Sequence, residues 1–384
     1  MIYTRAIANE CKKMSKSYPV LTIIGPRQSG KTTLVKSIFA KKPYMSLEDT
    51  DVREFATSDP RAFLAKYPKG AILDEIQRAP ELLSYIQTIV DNKQTAGMFI
   101  LTGSHQLSLQ QAITQSLAGR TAIVTLMPLT IAELQQDLSL DDYIHQGFFP
   151  RIHTQKLDPS KAYRNYIQTY IEKDVRQLIN LKDLKTFQHF LKLLSGRIGQ
   201  LVNCSSLAND LGISYHTVNN WLSVLEASFI VFRIQPYYEN FGKRIVKAPK
   251  VYFTDVGLAT YLLDIENTEQ LARDPLRGHL VENLILMELV KTRLNQGLDP
   301  HLYFYRDQQG NEVDVIYKSG NSLIPIEIKA SQTFHSDFLK GLNYFANLVG
   351  KRCKKGYLVY NGNIEQKIHN FKILNFKNSH EILL

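Results

Sequence analysis

Residues 19–39 read PVLTIIGPRQSGKTTLVKSIF. The apolar run from Val20 to Ile24 suits a buried parallel strand, and Leu34, Val35, Ile38 and Phe39 follow at helical spacing. Between them lies GPRQSGKT, Gly25 to Thr32, so the expected order is strand, glycine-bearing loop, helix. Gly25 and Gly30 let the backbone turn and aim successive N–H groups at phosphate oxygens, where the helix dipole also favours negative charge. Pro26, Arg27, Gln28, Ser29 and Thr33 complete the expected cradle. Lys31 is expected to reach the β- and γ-phosphates, and the Thr32 hydroxyl to ligate Mg²⁺. The stretch predicts a site for ATP and Mg²⁺ on an α/β fold with a parallel sheet.

Further strands are expected at 43–47, 70–75, 97–101 and 122–126, giving five that alternate with helices. The third ends in Asp74-Glu75. Asp74 would hold the Mg²⁺ shell, and Glu75 would orient and polarise the attacking water. Thr102 or Ser104, at the end of the fourth strand, would sense the γ-phosphate or the water; strand-end turn chemistry is the alternative. Arg120, before the fifth strand, reads as an arginine finger or sensor, acting in trans if the chain forms a homo-oligomer, or equally as an ordinary surface arginine. Residues 80–92 and 142–152 supply helices or connections. Residues 160–197 form a helical, lid-like stretch, where Tyr166, Tyr170, Ile171, Val175, Leu178 and Ile179 read as core more readily than as nucleic-acid stackers.

At 384 residues the chain is too long for a single core. Its 46 Lys and Arg against 36 Asp and Glu leave a net charge of +10, more than ATP requires, which points to DNA. A generically basic protein is the plainer reading. Three scattered cysteines, without a C-x-x-C pair, speak against a zinc site or a disulfide framework. No secretory leader and no run of about 18 apolar residues is evident, so a cytoplasmic protein without membrane spans is expected.

Residues 205–211, Gly212-Ile213 and residues 214–226 read as helix, turn, helix, with Ser205 and Ser214 as N-caps. Tyr215, His216, Thr217, Asn219 and Asn220 crowd the start of the second helix, where a recognition helix meets DNA. Strands at 229–235 and 250–253, joined by a loop carrying Lys243, Arg244 and Lys247, suggest a winged helix. Such a unit contacts DNA or docks a protein partner. Beyond it, residues 278–289 form an apolar helix bearing Glu282, followed by strands at 303–306, 311–317 and 323–329. Asp314 and the Glu327-x-Lys329 pair have the layout of a PD-(D/E)XK nuclease site. There the carboxylates would hold Mg²⁺, with Glu282 as a further donor, and the lysine would serve the hydrolytic water. A charged strand face or an inactive relic of the fold would leave the same pattern.

In this order, GPRQSGKTTL (25–34), ILDEIQRAPELL (72–83), ILTGSH (100–105), LAGR (117–120), YFTDVGLA (252–259), GHLVEN (278–283), GNEVDVI (310–316) and PIEIKAS (325–331) span nearly the whole chain. Together they resemble bacterial and archaeal AAA-type ATPases with a C-terminal restriction-endonuclease-like domain. The resemblance implies an ATPase core (1–135), a helical lid-like region (136–197), a winged helix (198–265) and an α/β nuclease-like domain (270–384). One departure is that Glu312-Val313-Asp314 stands where a Pro-Asp would precede Glu-x-Lys. Three functions follow as expectations: an ATP-hydrolysing, DNA-associated switch or motor, an ATP-dependent nuclease, or a nucleotide-gated protein-interaction switch.

Overall fold

The computed structural model describes residues 3–104, 112–113, 115–170, 183–237 and 247–383. Its first sheet contains β1 (Val20–Gly25), β2 (Tyr44–Ser46), β3 (Ile72–Asp74), β4 (Phe99–Ser104) and β5 (Thr121–Thr125). They lie in the order β2-β3-β4-β1-β5, and every pairing is parallel. Side chains alternate between two cores. Leu73, Phe99 and Leu101 pack on one face, and Leu21, Ile23, Ile72 and Ile100 on the other. Burial on both faces explains why these strands read as unbroken apolar runs. β4 lies between β1 and β3, with Gly25 in register with Ser104. The phosphate loop, the end of β4 and Asp74 therefore emerge side by side at the carboxyl edge, where such sheets bind ligands.

The helix pair is Cys204–Leu211 and Tyr215–Ala227, separated by Gly212 in the left-handed region (φ +65°). Ser214 caps the second helix as expected, its Oγ accepting from Thr217 N at 3.0 Å. The first is capped by Asn203 rather than Ser205, through Asn203 Oδ1 and Ser206 N. β6 (Val231–Pro236) and β7 (Lys250–Phe253) form the antiparallel hairpin that follows.

β6 then runs parallel to β8 (Leu302–Arg306), pairing through Gln235 and Pro236. β9 (Glu312–Ser319) and β10 (Ser322–Lys329) continue antiparallel, and helix Lys340–Val349 leads to β11 (Gly356–Tyr360), parallel to β10. With β12 (Gln366–Ile368) and β13 (Phe371–Asn375) this makes an eight-stranded sheet ordered β12-β13-β11-β10-β9-β8-β6-β7. The hairpin of the helix-pair unit is thus the edge of the C-terminal sheet.

One apolar core runs from Met127 to Leu383 and joins the helical region, the helix pair and this sheet. Tyr166 and Tyr170 lie buried in it, as core residues. Ile171, Val175, Leu178 and Ile179 fall outside the described residues, as do His105, Lys243 and Arg244. Helix Arg277–Asn295 threads this core and buries residues all around its circumference, Glu282, Glu288 and Lys291 among them. Among the described residues no helix is long and apolar enough to cross a membrane.

Candidate functional site

At the carboxyl edge of the first sheet, Gly25 has φ +148°, and a Cβ there would collide with the Leu126 carbonyl oxygen. Gly30, at φ +93°, caps helix Lys31–Ile38. Lys31 is buried and folded back, donating to the carbonyls of Gly25 at 3.0 Å and Pro26 at 2.9 Å. Thr32 Oγ1 donates to Asp74 Oδ2 at 2.8 Å, and Tyr44 OH donates to the same oxygen at 2.6 Å. Thr102 Oγ1 donates to Asp74 Oδ1 and accepts from Glu75 N at 3.3 Å. Glu75 holds a left-handed backbone (φ +57°), a strained conformation for a non-glycine residue. Its Oε2 accepts from Ser104 Oγ at 3.2 Å and from Gln77 Nε2, which also donates to Ser104 at 2.9 Å. Both strand-end hydroxyls are therefore engaged, Thr102 on the aspartate and Ser104 on the glutamate.

A cavity of about 1010 Å³ opens over the loop, lined by Lys31, Thr32 and Glu75 and by Pro150, Arg151 and Tyr170. That volume accommodates a nucleotide. Thr32 and Asp74 present two hard oxygens at 2.8 Å from each other beside the helix N-terminus, a donor set that fits Mg²⁺. Burial lowers the Lys31 ammonium to about 8, although Glu75 and Asp74 pull in the other direction. Phosphates arriving against Lys31 would restore its proton. Nucleotide binding is therefore expected to take up roughly 0.9 proton at pH 9 and about 0.1 at pH 7. Calorimetry in buffers of different ionisation enthalpy measures this directly; equal uptake at both pH values would contradict a lowered Lys31.

Four contributors were not legible from motifs. Tyr44 and Gln77 are single polar residues beside the acidic strand. Arg151 comes from the short helix Pro150–Thr154, which lines the cavity. Arg5, also buried, donates to the Ser29 carbonyl at 2.7 Å and the Met127 carbonyl at 2.6 Å, and pairs with Glu133 at 3.1 Å. It fixes the back of the phosphate loop to the chain leaving β5.

Arg120 lies elsewhere. It precedes β5 and so stands at the amino edge of the sheet, opposite the loop, in a two-point pair with Asp91 at 2.5 and 2.9 Å. It makes no part of this chain's own phosphate site.

The C-terminal residues do converge. Lys329 Nζ meets Glu327 Oε1 at 2.6 Å, and Asp314 Oδ2 accepts from Ile328 N at 2.8 Å. Burial holds the Asp314 carboxyl well above its ordinary range, with Glu327 and Glu282 adding to the effect. An unexpected cation joins them. Lys250, from β7, lies 3.0 Å from Glu282 and 2.6 Å from Glu312. Among the described residues no three His, Cys, Asp or Glu side chains are placed to hold one metal ion. Glu282, Asp314, Glu327 and Lys329 thus share one cluster with Lys250, whose ammonium lies between Glu282 and Glu312.

Residues 17–135 match a family model described as an AAA domain. Residues 137–269 and 277–378 match two domains of unknown function, DUF8612 and DUF4143. The uncharacterized protein Rv2008c of Mycobacterium tuberculosis is 29% identical over 336 residues, covering 87% of this chain and 75% of its own. An uncharacterized protein of Haemophilus influenzae is 24% identical, covering 60% and 58%. The Walker-type ATPase PABY2304 of Pyrococcus abyssi aligns in structure with 15% identity and a TM-score of 0.47, over 68% of this chain and 96% of that one. Residues 17–135 form a domain of AAA type.

Proposed function

We propose that this chain hydrolyses ATP with Mg²⁺ and couples the reaction to DNA held by its helix pair, without cutting that DNA. The observation that carries the ATPase reading is the meeting of Lys31, Thr32, Asp74 and Glu75 at one sheet edge. Held by Thr32 and Asp74, Mg²⁺ would neutralise charge on the β- and γ-phosphates. The loop N–H groups and the start of helix Lys31–Ile38 bind the phosphate oxygens. Lys31 exchanges the Gly25 and Pro26 carbonyls for those oxygens, gaining charged partners for neutral ones. Glu75, held by Ser104 and Gln77, polarises the attacking water. Arg151, which lines the same cavity, adds positive charge there.

DNA engagement rests on the net charge of +10 and on a capped helix pair whose second helix begins with Tyr215 largely exposed. That helix carries no lysine or arginine, so the reading assigns phosphate contact to Lys243, Arg244 and Lys247, which follow it in the sequence. Neutralising all three is expected to weaken DNA binding across sequences and to reduce the salt slope by about one unit per lost contact. Fluorescence anisotropy over a salt series measures both. An unchanged curve would move the interface elsewhere, or to a protein partner. The ATPase reading is tested by phosphate release with and without duplex and single-stranded DNA. Stimulation supports coupling, and turnover indifferent to both DNAs argues against it.

A further inference from the structure

We propose that the Lys250 ammonium permanently takes the place of a divalent cation in the C-terminal acidic cluster, so that this half of the protein binds no such ion there and cleaves no phosphodiester. Lys250 is 2% exposed. It bridges Glu282 Oε1 and Glu312 Oε1, and its ammonium lies 5.5 Å from the centre of the Phe304 ring. Strand alternation in β7 sends Lys250 and Tyr252 to the same face, and Tyr252 OH donates to the same Glu282 oxygen at 2.6 Å.

Most oxygens of Glu282, Glu312 and Glu327 already face basic side chains, and Asp314 Oδ2 accepts from Ile328 N. Glu282 Oε2 stands 3.6 Å from His279 Nδ1, Glu312 Oε2 3.4 Å from Arg306, and Glu327 Oε1 2.6 Å from Lys329. Glu327 Oε2 is the buried oxygen of the set without a hydrogen-bond partner. A hard divalent ion needs about six oxygens at about 2.0–2.6 Å. It would have to expel a buried ammonium and break its two carboxylate contacts to collect them. Charge is also balanced without it. Lys250, Lys329 and Arg306 face Glu282, Glu312 and Glu327.

The arrangement has its own structural result. One ammonium ties β7 of the hairpin to helix Arg277–Asn295 and to β9, welding the helix-pair unit to the C-terminal sheet. A residue set laid out as a hydrolytic site then serves as a joint.

The test is Mn²⁺ binding to the full chain without nucleotide, followed by electron paramagnetic resonance. The wild type and Asp314→Asn should bind identically, since any ion at Thr32 and Asp74 is common to both. Lys250→Met, which keeps the bulk and loses the charge, should gain one Mn²⁺ at least tenfold tighter, and adding Asp314→Asn should remove it. Lys250→Arg should gain none. Wild-type binding that Asp314→Asn abolishes overturns the proposal, and so does a folded Lys250→Met that gains no ion. Should Lys250→Met fail to fold, the comparison of wild type with Asp314→Asn decides alone. With Mg²⁺ or Mn²⁺ and ATP, DNA should stay as intact as it does with the Asp314→Ala, Lys329→Ala double variant. Metal-dependent cutting lost in that double variant overturns the proposal as well.

Discussion

Glu75→Gln is expected to bind ATP as the wild type does and to hydrolyse it about 10²-fold more slowly, the scale of losing a positioned base. Glutamine keeps the shape and the contacts with Ser104 and Gln77 but cannot accept a proton from water. Lys31→Ala should behave differently. It removes the ammonium that would compensate the phosphates, so nucleotide affinity itself should fall. Paired measurements of ATP binding by calorimetry and of phosphate release by stopped flow separate the two roles. Normal turnover in Glu75→Gln would remove Glu75 as the base. A slow Glu75→Gln with intact binding would also yield a trapped ATP complex for DNA-binding experiments.

The phosphate site was legible because its parts are contiguous. Gly25 to Thr32 is one loop, Asp74-Glu75 one strand end, and strand periodicity placed Thr102 and Ser104 beside them. What escaped reading were single residues whose partners are distant in sequence. Arg5 lies 24 residues before Ser29 and 122 before Met127. Nothing local marks an arginine for burial among carbonyl oxygens. Lys250 was passed over for a similar reason. In KVYF it reads as the first residue of a short strand, and its meaning depends on Glu282, 32 residues later on a helix. The strands of the hairpin were found by composition, whereas their partner was not. Alternation specifies which face of a strand is buried, not which edge pairs, and the pairing of Gln235 with Tyr303 is a tertiary event. Arg120 illustrates the converse. Its flanking sequence suits a finger, but β5 is parallel to β1, so a residue preceding β5 must lie at the edge away from Gly25.

Glu288→Leu is expected to cost about 3–5 kcal/mol, the largest stability loss anticipated for a single change, because it strands a buried charge. Glu288 and Lys291 are 2% and 1% exposed and pair at 3.0 Å one turn apart on helix Arg277–Asn295. Glu288 Oε2 also accepts from Ile131 N at 2.8 Å, and Lys291 donates to the Leu129 carbonyl at 2.8 Å with its ammonium 4.0 Å from the centre of the Phe148 ring. The double variant Glu288→Leu, Lys291→Met should recover most of the loss, since it leaves no unpaired charge. Denaturant titrations are simply read, because Trp221, the single tryptophan, lies in the same core. Failure of the double variant to recover would mean that the contacts with Leu129 and Ile131 matter more than the charge. Those contacts also have a place in the nucleotide site. Leu129 lines the cavity, and Arg5 and Glu133 grip the same stretch of chain from the side of the phosphate loop. A double variant that regains stability yet binds ATP more weakly would show that helix Arg277–Asn295, the helix that carries Glu282, helps to set the geometry of the cleft. In that case ATP should stabilise the double variant against denaturant less than it stabilises the wild type, because a ligand bound to the folded state stabilises it in proportion to its affinity.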